Sequence, residues 1–233
     1  MNNDKIKKNY SDNNNKTFIL YIINSFELGG TEKHLLNIID KLNSDRFDIS
    51  IFALNPQGAL LKDFKKLKVR IINLKNINFL HKIIILYKEI KYFNPIVHCF
   101  LPKSYLIGGF LSMILKIKVL IMSRRSRNLY QLKYPFLRYI ETLLHKRTDV
   151  ILVNSKPLIE DLISEGVSLD KIKLIYNGIN TDNFFKFIIN DKKINEIKND
   201  LCVPLNKIIL VCVANFYEYK GHLDLINSIN IIK

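Results

Sequence analysis

Two adjacent glycines and a carboxylate directly follow the first apolar run of the chain. Gly29 and Gly30 stand before Thr31 and Glu32, at the expected start of a helix. Glycine lets a ligand approach the backbone without a Cβ clash, and a helix start offers free N–H groups and the positive end of the helix dipole. The pair therefore predicts a phosphate site. A simple tight turn is the alternative, because the spacing is neither G-x-G-x-x-G nor that of a P-loop.

A histidine and three arginines lie where later strands are expected to end. His98 falls at the end of the run Ile96–Phe100. A histidine that faces a cleft can bind a hydroxyl or act as a base; a histidine satisfied by neighbouring backbone is the alternative. Arg124, Arg125 and Arg127 follow the fifth run. Their guanidinium groups suit phosphate or carboxylate oxygens, unless they are simply solvated.

A third candidate lies later in the sequence. Asn215 ends the apolar run ILVCVAN, and Lys220 with Gly221 precedes a helical pattern. A lysine beside a helix N-terminus suits a diphosphate. The Lys-Gly pair is common in proteins, so its meaning depends on the motifs around it.

The composition excludes several classes of protein. The 233 residues are 48% hydrophobic and 24% charged, which is typical of a folded chain and not of a disordered or collagen-like one. Cys99, Cys202 and Cys212 form no C-x-x-C pair, which argues against a disulfide scaffold and against a zinc site. Met1 to Lys16 is polar without an apolar core, and no apolar run approaches the ~20 residues of a membrane span. We expect a cytoplasmic protein with a disordered tail over residues 1–16.

Positive charge is concentrated in two segments. The chain carries a net charge of +15, of which +7 lies between Lys62 and Lys91 and +8 between Lys116 and Arg147. Clustered charge attracts an anionic partner such as anionic lipid or nucleic acid; ordinary solvated helix faces are the alternative. We expect no nucleic-acid partner, because the sequence has no RNP-like aromatic stripe, recognition-helix pattern or zinc ligands.

The order of apolar runs and helical patterns indicates how the candidates are positioned. Short β-rich runs alternate with helical segments, which predicts βαβ units, a parallel sheet and helices on both faces. The fold class is therefore α/β, a Rossmann-like doubly wound sheet, in which ligands bind beyond the carboxyl ends of the strands. The predicted strands are Thr17–Asn24, Phe47–Leu54, Val69–Leu74, Ile96–Phe100, Lys118–Ser123, Val150–Val153 and Lys171–Tyr176.

Two further features define the predicted organisation of the chain. A helix after Val153 should be capped by Ser155, begin near Pro157 and stop at Gly166. A new strand is expected from Ile208, before a helix to Ile232. The predicted domains are residues 17–185, a linker over 186–206, and an incomplete second Rossmann-like domain over 207–233.

The motifs, taken together, resemble a known family. Gly29-Gly30-Thr31-Glu32 is similar to the G-G-x-E loop of family 4 glycosyltransferases, the retaining GT-B enzymes. The segment Val150 to Phe184 resembles the family's stretch leading into the interdomain hinge, here with Asn177-Gly178, and Val211 to Ile226 resembles the opening of its donor domain. Three motifs in the correct order are far more specific than any one of them.

The resemblance implies transfer of a sugar from a nucleotide-diphosphate sugar to an acceptor hydroxyl, with retention and without a metal or other cofactor. Gly30 would present its N–H to the donor phosphate, Lys220 would pair with the diphosphate, and His98 would lie near the transferred sugar. Gly29, Asn215 and Gly221 would complete the donor phosphate site. Glu32 and the three arginines would serve the acceptor or another anion, with Asn177 and Gly178 as the hinge.

The sequence also departs from the family pattern. Asn215 stands where many members have arginine, Phe100 replaces the second histidine of an H-x-H, and the E-x7-E segment is absent. We therefore expect an N-terminal fragment that is weakly active or inactive alone, from an enzyme of envelope polysaccharide or glycolipid synthesis. A non-catalytic module that binds an acceptor or a membrane, and needs a separate donor-domain chain, is the alternative.

The acceptor and the location are predicted less directly. The expected partners are a nucleotide sugar, a glycan or lipid-linked acceptor and an anionic membrane surface at the inner face of the cell membrane. The helical stretch Phe79–Phe93 combines one apolar side with lysines elsewhere, a pattern that can rest on anionic lipid. A helix packed on the sheet is the alternative that we favour.

Overall fold

The chain forms two compact units. The computed structural model describes residues 16–42, 44–67, 69–127, 130–179, 181, 191–204, 206–214, 216 and 218–232. One unit comprises Met1–Ile179 and the other Asn180–Lys233. Residues 1–15 of the predicted disordered tail and Asn215 lie outside the described residues, and the predicted domain limits stay a prediction.

The first unit is built on a seven-stranded parallel sheet in the order β3-β2-β1-β4-β5-β6-β7. This confirms the predicted α/β Rossmann-like sheet, with each strand inside or within one residue of its expected run. The strands are β1 Thr17–Ile23, β2 Phe47–Ala53, β3 Arg70–Ile71, β4 Ile96–Phe100, β5 Leu120–Arg124, β6 Val150–Val153 and β7 Ile172–Leu174.

The central strand β1 shows why the sequence reads as a continuous apolar run. It pairs with β2 on one side and β4 on the other. Leu20 and Ile22 point into one core cluster, whereas Tyr21 and Ile23 point into another. Because successive side chains alternate between faces, both faces must be apolar when both are covered.

Helices cover both faces of the sheet. Leu35 of α1 and Phe64 of α2 belong to one core cluster, whereas Leu86 of α3, Tyr105 of α4 and Leu162 of α7 belong to the other. The helices are α1 Gly30–Lys41, α2 Leu61–Lys66, α3 Phe79–Phe93, α4 Pro102–Ile114, α5 Tyr130–Lys133, α6 Pro135–Arg147 and α7 Pro157–Ser164, with a 3₁₀ turn at Leu169–Lys171.

Local residues set the helix ends. The Asn78 side chain accepts a hydrogen bond from the His81 N–H at 2.9 Å, which caps the start of α3. Gly166 has φ +83°, which confirms the predicted left-handed stop after α7. The predicted cap was wrong: α7 begins at Pro157 with Lys156 in the N-cap position, and no side chain caps it.

The second unit contains α8 Asp191–Asp200, a 3₁₀ turn at Glu218–Lys220 and α9 His222–Ile232. The strand predicted from Ile208 was wrong: residues 206–214 form no strand, and Val213 is almost fully exposed. An apolar run becomes a strand only where neighbouring strands pair with it, and the described part of this unit contains none.

Candidate functional site

The sheet order creates one crevice at its carboxyl edge. The chain winds from β1 outward to β3, and then returns to place β4 on the other side of β1. The loops after β1 and β4 therefore leave in opposite directions and open a gap between them, which is where ligands bind in such sheets. Across this gap the Ser104 hydroxyl of α4 donates to the Asn24 side chain at 3.2 Å.

Gly29 and Gly30 lie at this crevice, at the start of α1. Gly29 is the N-cap and Gly30 the first helical residue. A Cβ on Gly30 would meet no heavy atom within 4 Å, so its backbone faces open space. A helix of 12 residues with no side-chain cap leaves N–H groups available at its start. This is the geometry that an anion needs.

Glu32 folds back over the glycine turn. A Cβ on Gly29 would collide with the Glu32 carboxylate, so the absence of a side chain there makes room for it. Burial raises the pKa of Glu32, with the charge of Glu27 adding to it and a hydrogen bond from the Glu32 backbone N–H opposing it. The carboxylate therefore packs against the glycine turn.

The sequence predicted that His98 faces the cleft, but the structure does not leave this side chain open to it. It is the third residue of β4 and only 7% exposed, because the strand continues to Phe100. Its Nε2 is 2.8 Å from the Ser123 hydroxyl, and its ring stacks on Phe100 at 4.5 Å. Burial, with the nearby charges of Arg125 and His34, lowers its pKa to about 3. The imidazole is therefore neutral at pH 7 and available as a hydrogen-bonding group rather than as a cation.

Arg125 brings a positive charge to the same place. Its guanidinium lies 5.6 Å from the centre of the Phe100 ring, and its Nη1 donates to the Asn177 side chain at 2.6 Å. Its Nε is buried and has no hydrogen-bond partner among the described residues. Desolvation lowers the pKa of this arginine to about 10, so it stays charged at neutral pH.

His34 is a site residue that sequence reasoning missed. It lies one turn beyond Gly30 on the buried side of α1. Burial, followed by the charge of Arg125, lowers its pKa to about 4. The spacing of four residues from Gly30 on a predicted helix was the only available signal, since four residues make about one turn.

Arg124 and Arg127 are placed differently from Arg125. Arg124 is buried at the end of β5, where its Nη1 donates to Glu165 at 2.7 Å. Burial opposes ionisation of Glu165, but hydrogen bonds from His145 and Arg124 outweigh it and lower its pKa to about 2. Arg127 is exposed and lies 3.3 Å from Asp161. The predicted anion-binding role of Arg124 is disfavoured by this internal ion pair.

The remaining predicted residues are Asn177 and Gly178 of the first unit and Lys220 and Gly221 of the second. Asn177 joins Arg125 by the hydrogen bond described above, and a Cβ on Gly178 would meet nothing within 4 Å. Lys220 ends the 3₁₀ turn, and Gly221 follows with φ +71° directly before α9. Such a φ favours glycine. The structure thus brings Gly30, His98 and Arg125 to one edge of the first unit and keeps Lys220 and Gly221 together in the second.

The part of the chain that the structure describes contains no cluster of side chains that could bind a metal ion. No group of three or more His, Cys, Asp or Glu side chains is arranged there to hold a metal ion.

A family comparison identifies the fold's relatives. The profile of Glycosyltransferase Family 4 matches residues 28–183, which is more than half of the chain. The chain belongs to Glycosyltransferase Family 4. The match begins just before the Gly29-Gly30 turn and ends just past the Asn177-Gly178 pair, so it contains the whole site of the first unit.

Three individual proteins are also similar to this chain, one in sequence and two in fold. A 41.2 kDa protein of the Klebsiella pneumoniae cps region is 34% identical over 95 residues, which are 40% of this chain and 25% of that protein. Anabaena HepE, solved with UDP-glucose, is similar in fold with a TM-score of 0.70 at 18% identity. The match covers 91% of this chain and 57% of HepE. A Rickettsia africae glycosyltransferase has a TM-score of 0.66 at 20% identity, covering 94% and 58%. The chain spans less than two thirds of the length of each.

Proposed function

We propose that this chain is the acceptor-side part of a glycosyltransferase that moves a sugar from a nucleotide-diphosphate sugar to an acceptor hydroxyl, with retention and without a metal. The observation that carries the proposal is the open, uncapped start of α1 at Gly30, at the crevice of the sheet. Family membership supports the reaction class. The UDP-glucose bound to HepE supports the donor class.

The chemistry assigns a role to each group. The acceptor hydroxyl oxygen bonds to the anomeric carbon while the bond from that carbon to the diphosphate breaks, so negative charge grows on the leaving oxygens. The hydroxyl proton passes to the released diphosphate. N–H groups aimed at such charge stabilise it without reorganising. The Gly30 N–H is the group of the first unit that we propose for this role. Lys220 and Gly221 are proposed separately, as diphosphate-binding residues of the second unit.

His98 and Arg125 serve the sugar and the acceptor in this proposal. A neutral imidazole, held by Ser123, exchanges hydrogen bonds with hydroxyls and does not repel an arginine. The buried Nε of Arg125 suits an oxygen of an anionic acceptor. The cps region of the Klebsiella relative supports envelope polysaccharide as the product class.

Titration of this chain with UDP, UDP-glucose and GDP tests the donor site. Calorimetry or ligand-observed NMR should show binding of a nucleoside diphosphate, and UMP should bind more weakly because it lacks the second phosphate. Gly30→Ala should weaken diphosphate binding about tenfold, since its methyl group projects where the phosphate meets the helix and a hydrogen bond to a charged group is worth about 1.5 kcal/mol or more.

Asn37→Ala is the matched control for Gly30→Ala. Asn37 is exposed on the same helix, away from its N-terminus, and its variant should bind like the unchanged chain. Equal binding by Gly30→Ala and the unchanged chain would overturn the phosphate site. A chain that binds no nucleotide at all would favour the alternative, an acceptor-binding module that requires a separate donor-domain chain.

We also propose that the first unit contacts an anionic membrane surface, where a lipid-linked acceptor would lie. Helices α3, α4 and α6 enclose an open groove of about 490 Å³ whose lining is entirely apolar side chains. Of its lining side chains, Phe79 is 56%, Phe110 49% and Leu143 40% exposed. Exposed apolar patches of this kind mark interaction surfaces.

The charge on these three helices favours a negatively charged partner. Their two carboxylates are unavailable, because Glu89 is paired with Arg70 and Glu141 is buried. Their exposed charged side chains are all basic: Lys88, Lys91, Lys103, Arg138 and Lys146. Apolar side chains flanked by cations are the pattern of a protein that lies on anionic lipid. Among the described residues, no helix is long and apolar enough to cross a membrane.

Vesicle co-sedimentation tests the membrane contact. Vesicles with anionic lipid should retain the chain, and purely zwitterionic vesicles should retain less. Phe79→Ser together with Phe110→Ser should reduce retention, whereas Leu169→Ser, an exposed leucine outside the groove, should not. Retention that is independent of anionic lipid, or equal in all variants, would contradict the proposal.

A further inference from the structure

A second pocket lies at the carboxyl edge of the sheet, beside β2 and β3. Its volume is about 560 Å³, within the range of small-ligand sites. Ile71 and Ile72 contribute apolar walls, Gln57 and Asn73 contribute amides, and Lys65 and Lys75 contribute charges. None of the residues predicted from the sequence lies in it.

This pocket is joined to the Gly29-Gly30 turn by backbone hydrogen bonds. The Phe26 N–H donates to the Gln57 carbonyl at 2.9 Å, and the Leu60 N–H donates to the Phe26 carbonyl at 2.9 Å. Gly58, with φ +143°, lies so close to the Phe26 backbone that a Cβ would overlap it. The loops after β1 and β2 therefore form one rim, with the glycine turn on one side and the pocket wall on the other.

The distance along this rim suits an extended ligand. β1 and β3 are two strand steps apart, about 10 Å at ~4.8 Å per step. A molecule whose reacting hydroxyl lies near Gly30 would need more than one ring to reach the pocket. A short glycan or a sugar with a charged substituent has such a length.

The charge of the pocket selects the kind of substituent. Lys65 and Lys75 both line it, and no acidic residue does. The carboxylate of α2, Asp63, is held by Lys66 at 2.7 Å. Two ammonium groups beside two amides can hold a carboxylate or a phosphate and the hydroxyls around it. The apolar walls can contact the face of a sugar ring.

We propose that this pocket is a subsite for an anionic group, a carboxylate or a phosphate, on the acceptor glycan. That the ligand is an acceptor rests on the proposed function; the preference for a sugar anion rests on the pocket alone. The subsite holds the distal end of the acceptor by Lys65 and Lys75, while the reacting end lies at the crevice near Gly30.

Binding of small sugar anions to this chain tests the subsite without any donor. Glucuronate and glucose 6-phosphate serve as probes, and glucose is the neutral comparison. At low ionic strength at least one anion should bind more tightly than glucose and shift the amide NMR signals of Gln57 and Lys75. The anion that binds more tightly identifies the group as carboxylate or phosphate.

Variants of the two lysines decide whether the pocket is responsible. Lys65→Gln and Lys75→Gln should each weaken the preferred anion about three- to fivefold, the effect of one exposed ion pair, and the double variant about tenfold or more. Lys62→Gln is the matched control, since Lys62 lies on α2 but does not line the pocket.

Two outcomes would overturn the subsite: neither anion binds better than glucose, or Lys62→Gln weakens binding as much as the lining variants. UDP titration of the same variants separates this proposal from the proposed function. Loss of anion binding with unchanged UDP binding concerns the subsite alone. Absence of UDP binding with anion binding intact would remove the donor site and leave an anion-binding pocket.

Discussion

At the scale of single residues, burial and neighbouring charge determine how the site behaves with pH. His98 has a lowered pKa of about 3 because it is buried and lies near Arg125. In the unfolded chain a histidine titrates near 6.5. Between these values the unfolded state binds a proton that folded His98 does not, so stability is present above pH 6.5 and is lost as the pH falls.

We therefore predict that lowering the pH from 7 to 5 costs the first unit about 2 kcal/mol through His98, since 1.5 pH units below 6.5 correspond to that free energy. His98→Gln has no proton to bind and should lose correspondingly less stability over the same range. Urea unfolding followed by tyrosine fluorescence at both pH values measures the difference.

His81→Gln is the control for this prediction, because His81 is an exposed histidine on α3. It should lose as much stability as the unchanged chain. The free energy of unfolding of His98→Gln should still decrease somewhat with falling pH, because His34 also has a lowered pKa. An identical loss in His98→Gln and the unchanged chain would show that His98 is protonated in the folded state at pH 5.

The glycine turn could be predicted from the sequence, whereas the arrangement around Arg125 could not. Gly29-Gly30 after an apolar run determines its own position, because the residues that form the turn are adjacent. Whether Arg124 or Arg125 faces the crevice depends on where β5 ends, and a shift of one residue moves a side chain to the opposite face. The same limit applies to His98, whose burial follows from the continuation of β4 to Phe100.

At the scale of secondary-structure elements, a buried ion pair joins β5 to the end of α7. The Arg124 guanidinium and Glu165 carboxylate are 2.7 Å apart, with His145 of α6 at 3.1 Å from the same carboxylate. We predict that Glu165→Ala destabilises the first unit by about 3–5 kcal/mol, because it leaves a buried cation without a counter-ion. Urea unfolding at pH 7 gives this value.

Arg127→Ala provides the comparison for that ion pair. Arg127 and Asp161 form an exposed pair at 3.3 Å, which should contribute less than ~1 kcal/mol. Similar losses of unfolding free energy in Glu165→Ala and Arg127→Ala would mean that Arg124 is solvated. Acid should weaken the buried pair only below about pH 4.5, since Glu165 has a lowered pKa of about 2 and its contribution is lost as the pH falls toward that value.

Close packing of α4 on the sheet gives a second element-scale prediction. A Cβ on Gly108 would lie 2.5 Å from Ile22 Cδ1 and 2.8 Å from Cys99 Sγ. We expect Gly108→Ala to destabilise by about 1–3 kcal/mol through overpacking. A Cβ on the adjacent Gly109 would make ordinary contacts of 3.4 Å or more.

Gly109→Ala should therefore be neutral, or stabilising by up to ~1 kcal/mol, because alanine favours a helix interior over glycine. Thermal unfolding followed by circular dichroism compares the two variants. Equal effects would mean that α4 is not held against β1 and β4 at Gly108. The two glycines are neighbours in the sequence, so only the direction of the helix face distinguishes them.

At the scale of the whole molecule, the sequence predicted one unit well and the other poorly for the same physical reason. Seven apolar runs in the first unit pair with one another. The hydrophobic periodicity and the residues that end each element were therefore sufficient to predict a parallel sheet. The run from Ile208 has the same composition but no strand to pair with among the described residues, and it forms no strand and stays largely exposed. Pairing depends on the rest of the fold, which no local pattern contains.

The same reasoning predicts that the first unit is stable by itself. Both core clusters are made of residues between Ile19 and Leu174, and no described residue of 191–232 is buried. A chain that ends at Ile179 should therefore keep its free energy of unfolding within ~1 kcal/mol of the full chain, as measured by urea unfolding. A chain that ends at Gly166 should be much less stable, because it loses β7 and the buried side chains of Val167 and Ile172. If truncation at Ile179 cost several kcal/mol, the second unit would have to contribute to the core of the first.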